Sequence, residues 1–144
     1  MQHQDFIEQL QDKQIVAAIR AAEAKTSGEI RIFISSKEAT DPVAAAQAEF
    51  ARLGMTKTAA RNGVLIFVAP PSRNFAILGD KGIHERCGES FWREVTEQMT
   101  EHFRQGQFTQ GIVHAVAEAG ALLGEHFPRQ KGDQNELSDA VERD

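Results

Sequence analysis

The sequence predicts an α/β fold: a three-layer α/β/α sandwich on a small mixed sheet, with helices on both faces. Three observations predict it. Glu29–Ser35 (EIRIFIS) alternates strictly, with Ile30, Ile32 and Ile34 on one face and Arg31 and Phe33 on the other. Gly63–Ala69 (GVLIFVA) is apolar almost throughout, the pattern of a strand covered on both faces. A helical segment lies between these two strands, and a strand–helix–strand unit calls for a parallel pair with a right-handed crossover. A short turn-rich segment then leads to a third apolar run, so the last strand returns antiparallel.

The elements follow in order. Residues 4–25 read as helix in two pieces, with Phe6, Ile7 and Leu10 on one apolar face and Ile15, Ala18, Ile19 and Ala22 on another. The two faces are out of phase, which predicts a break near Asp12, with Asp12 capping the second piece. Thr26-Ser27-Gly28 ends that helix, and Glu29–Ser35 forms a strand with one face in the core. Asp41 is a good N-cap and Pro42 suits the first helical position, so a helix runs from there through Phe50 and Leu53 to Gly54.

Pro70–Asn74 is a five-residue hairpin loop between Gly63–Ala69 and Phe75–Gly79. Gly82–Cys87 reads as one short helical turn. Ser90–Gln105 is amphipathic, with Trp92, Val95, Met99 and Phe103 on one stripe, and Phe108–Phe127 follows with Ile112, Val116, Ala119 and Leu123. Gly120-x-x-x-Gly124 allows a close helix approach. The expected domain is 1–128. Residues 129–144 are polar without periodicity and are expected to form a disordered tail, while a short fourth strand could hide in the loops.

A chain of 144 residues fits one domain and buries roughly two thirds of its unfolded surface. The net charge of −5 argues against nonspecific nucleic-acid binding, so no nucleic-acid partner is expected. The single cysteine, Cys87, excludes an internal disulfide framework and a thiolate metal cluster. The start, MQHQDFIEQL, lacks the basic-then-apolar order of a signal peptide, and no apolar run reaches the ~18–20 residues that span a bilayer. The expectation is a soluble cytoplasmic protein without direct membrane insertion.

The topology also predicts where polar groups meet. Two parallel strands begin at Glu29 and at Arg61-Asn62-Gly63, and the return strand ends at Gly79-Asp80. All three boundaries fall at one end of the sheet, where the Gly82–Glu85 turn begins with N–H groups expected to be unpaired. Two chemistries suit such a cluster. Glu29, Asp80 and Glu85, with the Asn62 carbonyl, are hard oxygen ligands for Ca²⁺ or Mg²⁺. Arg61 has a planar fork that clamps a phosphate or carboxylate. The plain alternative is an ion pair of Arg61 with Glu29 or Asp80, with Gly63 and Gly82 serving only to allow turns.

Other signals are weaker. His84 and Cys87 stand at i, i+3 without evident partners. His102, His114 and His126 read as surface or helix-end residues. Ser35 and Ser36 lie at the carboxyl end of the first strand, the ligand side of open parallel sheets, but no glycine fingerprint accompanies them. Gly-x-Ser-x-Gly, Walker and Rossmann patterns are absent from the sequence.

Taken together, Thr26-Ser-Gly-Glu-Ile30, Leu53-Gly-Met55, Arg61-Asn-Gly-Val-Leu-Ile66, Gly79-Asp-Lys-Gly-Ile83, Phe91-Trp92 and FRQGQFTQG from Phe103 to Gly111 resemble the TPM domain family. The resemblance covers about residues 10–128 and implies an α/β/α sandwich. It implies calcium binding or acid phosphatase activity, as described for some members, and it favours the sheet end holding Glu29, Arg61, Asn62, Gly63, Asp80, Gly82 and Glu85. In a binding module, Glu29, Asp80 and Glu85 would hold the cation. In a metal-assisted phosphatase, Asp80 and Glu29 would hold the metal or activate water while Arg61 holds the phosphate. The short bacterial type it resembles implies a LemA-type membrane protein as partner.

Overall fold

The computed structural model describes residues 11–58, 61–87, 92–129 and 141–143. The elements are α1 (Asp12–Glu23), β1 (Glu29–Ile34), α2 (Pro42–Arg52), β2 (Gly63–Ala69), a 3-10 turn (Pro70–Ser72), β3 (Asn74–Gly79), α3 (Lys81–Cys87), α4 (Arg93–Arg104), α5 (Phe108–His126) and β4 (Val141–Arg143). β1 and β2 pair in parallel from Glu29↔Gly63 to Ile34↔Val68. β3 returns antiparallel to β2 from Ala69↔Asn74 to Val64↔Gly79. The strand order is β3-β2-β1-β4.

The alternation in β1 and β2 sorts their side chains into two cores. Ile30, Ile32, Ile34, Val64, Ile66 and Val68 meet Ile15 and Ile19 of α1, Val95 and Met99 of α4, and Ile112 and Val116 of α5. On the other face Phe33, Leu65 and Phe67 meet Ala46 and Phe50 of α2, and the Phe33 and Phe67 rings stack 5.8 Å apart. Each fully buried aliphatic or aromatic side chain contributes about 1.5–3 kcal/mol. Sequence periodicity predicted one buried face for β1. All six of its residues are buried, because α2 covers the second face.

Three local expectations meet the structure at identifiable side chains. Asp41 caps α2 by accepting the Ala44 N–H at 3.1 Å, with Pro42 at the first helical position. Asp12 does not cap α1: Gln11 occupies that place, and Asp12 in the first turn accepts both arms of Arg143 at 2.9 Å. The predicted helix over 4–10, and with it the break before Asp12, lies outside the described residues. Gly120 brings two helices close, since a Cβ there would stand 2.5 Å from the Ala22 Cβ.

The fourth strand comes from the segment expected to be disordered. Val141–Arg143 pairs in parallel with Ile32–Ile34 of β1. Three residues are too few to show a strand period. Ion pairs of Glu142 with the nearly buried Arg31 and of Arg143 with Asp12 accompany the pairing. Residues 130–140 and 144 lie outside the described residues.

Candidate functional site

β1 and β2 begin, and β3 ends, at one end of the sheet, as the topology requires. Main-chain hydrogen bonds tie the three boundaries together: Glu29 N–H donates to Asn62 O at 3.3 Å, and Asp80 N–H to Gly63 O at 2.9 Å. At this junction the Arg61 fork closes on Asp80, with Nε donating to Oδ2 at 2.8 Å and Nη2 to Oδ1 at 2.9 Å. Oδ1 also accepts the Lys81 N–H at 2.7 Å. The Asp80 side chain is 5 % exposed, whereas that of Arg61 is 43 % exposed. Of the two carboxylates the sequence offered to Arg61, Asp80 takes the bidentate pair.

Arg61 adopts a left-handed backbone, φ +51°, a region that residues with a Cβ rarely enter unless their surroundings hold them there. Three tethers do so here. Its N–H donates to Thr58 O at 3.2 Å, its carbonyl accepts the Gly82 N–H at 2.8 Å, and its guanidinium grips Asp80. Hydrogen bonding to Asp80, then the charges of Asp80 and Glu85, raise the Arg61 pKa above its ordinary value. The group is a fixed cation. Its left-handed backbone has no sequence signal, because the neighbouring Asn62-Gly63 is the pair that ordinarily supplies positive φ.

The Gly82–Glu85 turn differs from expectation. Its leading N–H groups are occupied: Gly82 donates to Arg61 O, and Ile83 and His84 both donate to Asp80 O at 3.0 and 3.3 Å. They are closed to an anion, because Asp80 and Arg61 supply the acceptors that an unpaired turn would lack. Gly63 and Gly82 are not among the positive-φ glycines, Gly54 and Gly106. Gly63 instead makes room: a Cβ there would stand 3.3 Å from Met55 O. Asn62 is 1 % exposed and turns inward, its Nδ2 donating to Ser27 Oγ at 3.3 Å.

The three expected metal carboxylates have separate surroundings. Glu29 is buried, Asp80 is clasped by Arg61, and the exposed Glu85 lies 3.8 Å from Lys81 Nζ, one helical turn away. Among the described residues, no group of three or more His, Cys, Asp or Glu is placed to hold a metal ion. His84 is exposed, and burial pushes the Cys87 thiol up, away from the thiolate that ligation or nucleophilic attack needs. Ser35 Oγ serves a local turn by accepting the Lys37 N–H at 3.1 Å.

Sequence reasoning also missed Glu23, which is 2 % exposed and accepts the Ile30 N–H at 2.9 Å through Oε2. The signal was present: Glu23 continues the i, i+4 series Ile15, Ile19 on the apolar face of α1. A carboxylate on such a stripe needs an internal donor.

The TPM domain family model matches residues 1–122. The chain belongs to the TPM domain family. A solution structure of the BA42 protein from the psychrophilic bacterium Bizionia argentinensis is 38 % identical, with TM-score 0.88, over 94 % of this chain and 96 % of that one. The N-terminal domain of a P. gingivalis protein shares the fold at 18 % identity and TM-score 0.65, over 84 % of this chain and 82 % of that domain. No curated protein matches the chain. The TPM domain here is an α/β sandwich on a four-stranded mixed sheet, and no helix among its described residues is long and apolar enough to cross a membrane.

Proposed function

We propose that this TPM domain is a regulatory module that binds a divalent cation, calcium or magnesium, at the Asp80 end of the sheet. The observation that carries the reading is the Asp80 carboxylate. It is oriented by Arg61 and by the Lys81 N–H, so three of its roughly four lone-pair sites are filled. One inner contact to a cation remains, and water supplies most of the others. Hydrated magnesium is commonly held in that way by one or two carboxylates. Glu85, exposed on α3, is the second carboxylate within the field of this cluster. Arg61 is the resident counter-ion in this reading, and an entering cation competes with it for Asp80.

Calorimetric titration with Ca²⁺ and with Mg²⁺ tests the reading. Wild type should give saturable heat, Asp80→Asn should lose it, and Arg61→Ala should bind more tightly because the competing cation is gone. Absence of saturable heat in both wild type and Arg61→Ala, or an isotherm unchanged by Asp80→Asn, overturns the proposal.

One observation favours a second reading, a weak metal-assisted phosphatase. Arg61 uses Nε and Nη2 on Asp80, and its side chain stays 43 % exposed. That edge suits a phosphate oxygen, and Asp80 and Glu29 are the groups that would hold the metal or activate water in this reading. Hydrolysis of an aryl phosphate would then fall in both Arg61→Ala and Asp80→Asn. We favour the binding module because the chain's one thiol is pushed toward its inert form.

A further inference from the structure

His102 of α4 and His114 of α5 were separate surface residues in the sequence. The helix pair brings them together, with ring centroids 5.4 Å apart and ring planes inclined by 47°. Each ring has one nitrogen on a glutamine oxygen: His102 Nδ1 on Gln107 Oε1 at 3.0 Å, and His114 Nε2 on Gln98 Oε1 at 2.5 Å. The Gln98 amide nitrogen donates to Glu94, which fixes the direction of that amide. An amide oxygen only accepts, so in the tautomers that make these two bonds the bonded ring nitrogens carry the protons. The lone pairs are therefore left on His102 Nε2 and His114 Nδ1.

We propose that His102 and His114 form a two-imidazole site for a borderline divalent transition ion, zinc or copper, distinct from the Asp80 end of the sheet. Two features support it. The first is spacing. An ion about 2.0–2.1 Å from a ring nitrogen stands about 3.2 Å from that ring's centroid, so two rings at a tetrahedral angle lie about 5.2 Å apart, close to the 5.4 Å observed. The second is the outer layer. Ligating histidines donate their other N–H to an oxygen that fixes tautomer and orientation, and Gln107 and Gln98 already do so.

Both histidines are only half-buried, so an ion reaches them from solvent. Among the described residues, no third His, Cys, Asp or Glu completes a cluster, so water fills the remaining positions. Imidazole selects zinc, copper or nickel over calcium and magnesium. The ion would bridge α4 and α5 and resist their separation.

Titration of the full chain with zinc chloride, by calorimetry and by NMR of the imidazole rings, tests the site. Saturable binding is expected, with both ring systems shifted. His102→Gln and His114→Gln should each weaken it at least about tenfold, and Gln98→Ala or Gln107→Ala by about tenfold. Asp80→Asn and a large excess of Ca²⁺ should leave it unchanged. No saturable zinc binding, an isotherm indifferent to both histidine variants, or loss of zinc in Asp80→Asn with retention in His102→Gln overturns it. The half-buried ring positions and the independent glutamine variants separate loss of the site from loss of the fold.

Discussion

Arg61 holds both carboxylate oxygens of Asp80, at 2.8 and 2.9 Å, from a left-handed backbone that its own side chain helps to maintain. Backbone and fork act together, which makes a prediction that side-chain chemistry alone does not. Arg61→Ala loses the fork and keeps a Cβ at φ +51°. Arg61→Gly loses the same fork but accepts that φ without strain. Arg61→Gly is expected to melt about 2–6 °C above Arg61→Ala. Equal melting temperatures would show that the left-handed backbone relaxes once the fork is gone.

Glu23 completes the β1 ladder where β4 does not reach. Along β1, Glu29 N–H faces β2, donating to Asn62 O, so by alternation Ile30 N–H faces the β4 side. β4 starts its register only at Ile32, and Glu23 Oε2 supplies the missing acceptor. Glu23→Ala leaves a buried donor unsatisfied and should destabilise the domain by about 1–3 kcal/mol. Glu23→Gln keeps a carbonyl acceptor and should lose less. Urea unfolding measures the difference, and faster hydrogen exchange at the Ile30 amide in the alanine variant locates it.

The legible parts of this chain are those with a repeating period or a topological necessity. Ile30, Ile32 and Ile34 announce one core, the unbroken apolar run Gly63–Ala69 announces cover on both faces, and the strand order alone brings Arg61 and Asp80 to one end of the sheet. The illegible parts depend on single side chains meeting across long separations. Val141–Arg143 is too short for a period, and the ion pairs that accompany its pairing reach Arg31 and Asp12, far away in sequence. The turn donors over Gly82–His84 looked free because their acceptors, Arg61 O and Asp80 O, lie in another segment or are main-chain atoms without a sequence signature. His102 and His114 meet only because α4 and α5 fold back on one another.

Gly120 tests the helix contact that the sequence did announce. Alanine has the higher helix propensity, by about 1 kcal/mol over glycine in a helix interior. Its Cβ at position 120 would lie 2.5 Å from Ala22 Cβ and 2.9 Å from Ala22 Cα, so α1 and α5 must move apart. Overpacking of this kind costs about 1–3 kcal/mol. Gly120→Ala should therefore lower the urea midpoint despite its better propensity. A raised midpoint would mean that α1 shifts without loss of packing.

Asp12 and Arg143 give the tie between α1 and β4 a pH dependence of defined sign. Hydrogen bonding to Arg143, and to a lesser degree its charge, holds the Asp12 carboxyl below its ordinary value of 3.8, against a smaller opposing effect of burial. The folded pKa is lower than the unfolded one, so the unfolded chain binds more protons in this range and stability rises with pH. The contribution is fully present above about pH 4–5 and fades as pH falls through the folded value. The hydrogen bond to Asp12 raises Arg143 above its ordinary value, so it stays charged throughout. The two side chains are 46 % and 35 % exposed, so solvent screening holds the effect to about 0–1 kcal/mol. Urea unfolding of wild type and Arg143→Ala between pH 2.5 and 6 should show their stability difference shrinking in acid. A difference that stays constant across that range would assign the tie to β4 packing rather than to the charge pair.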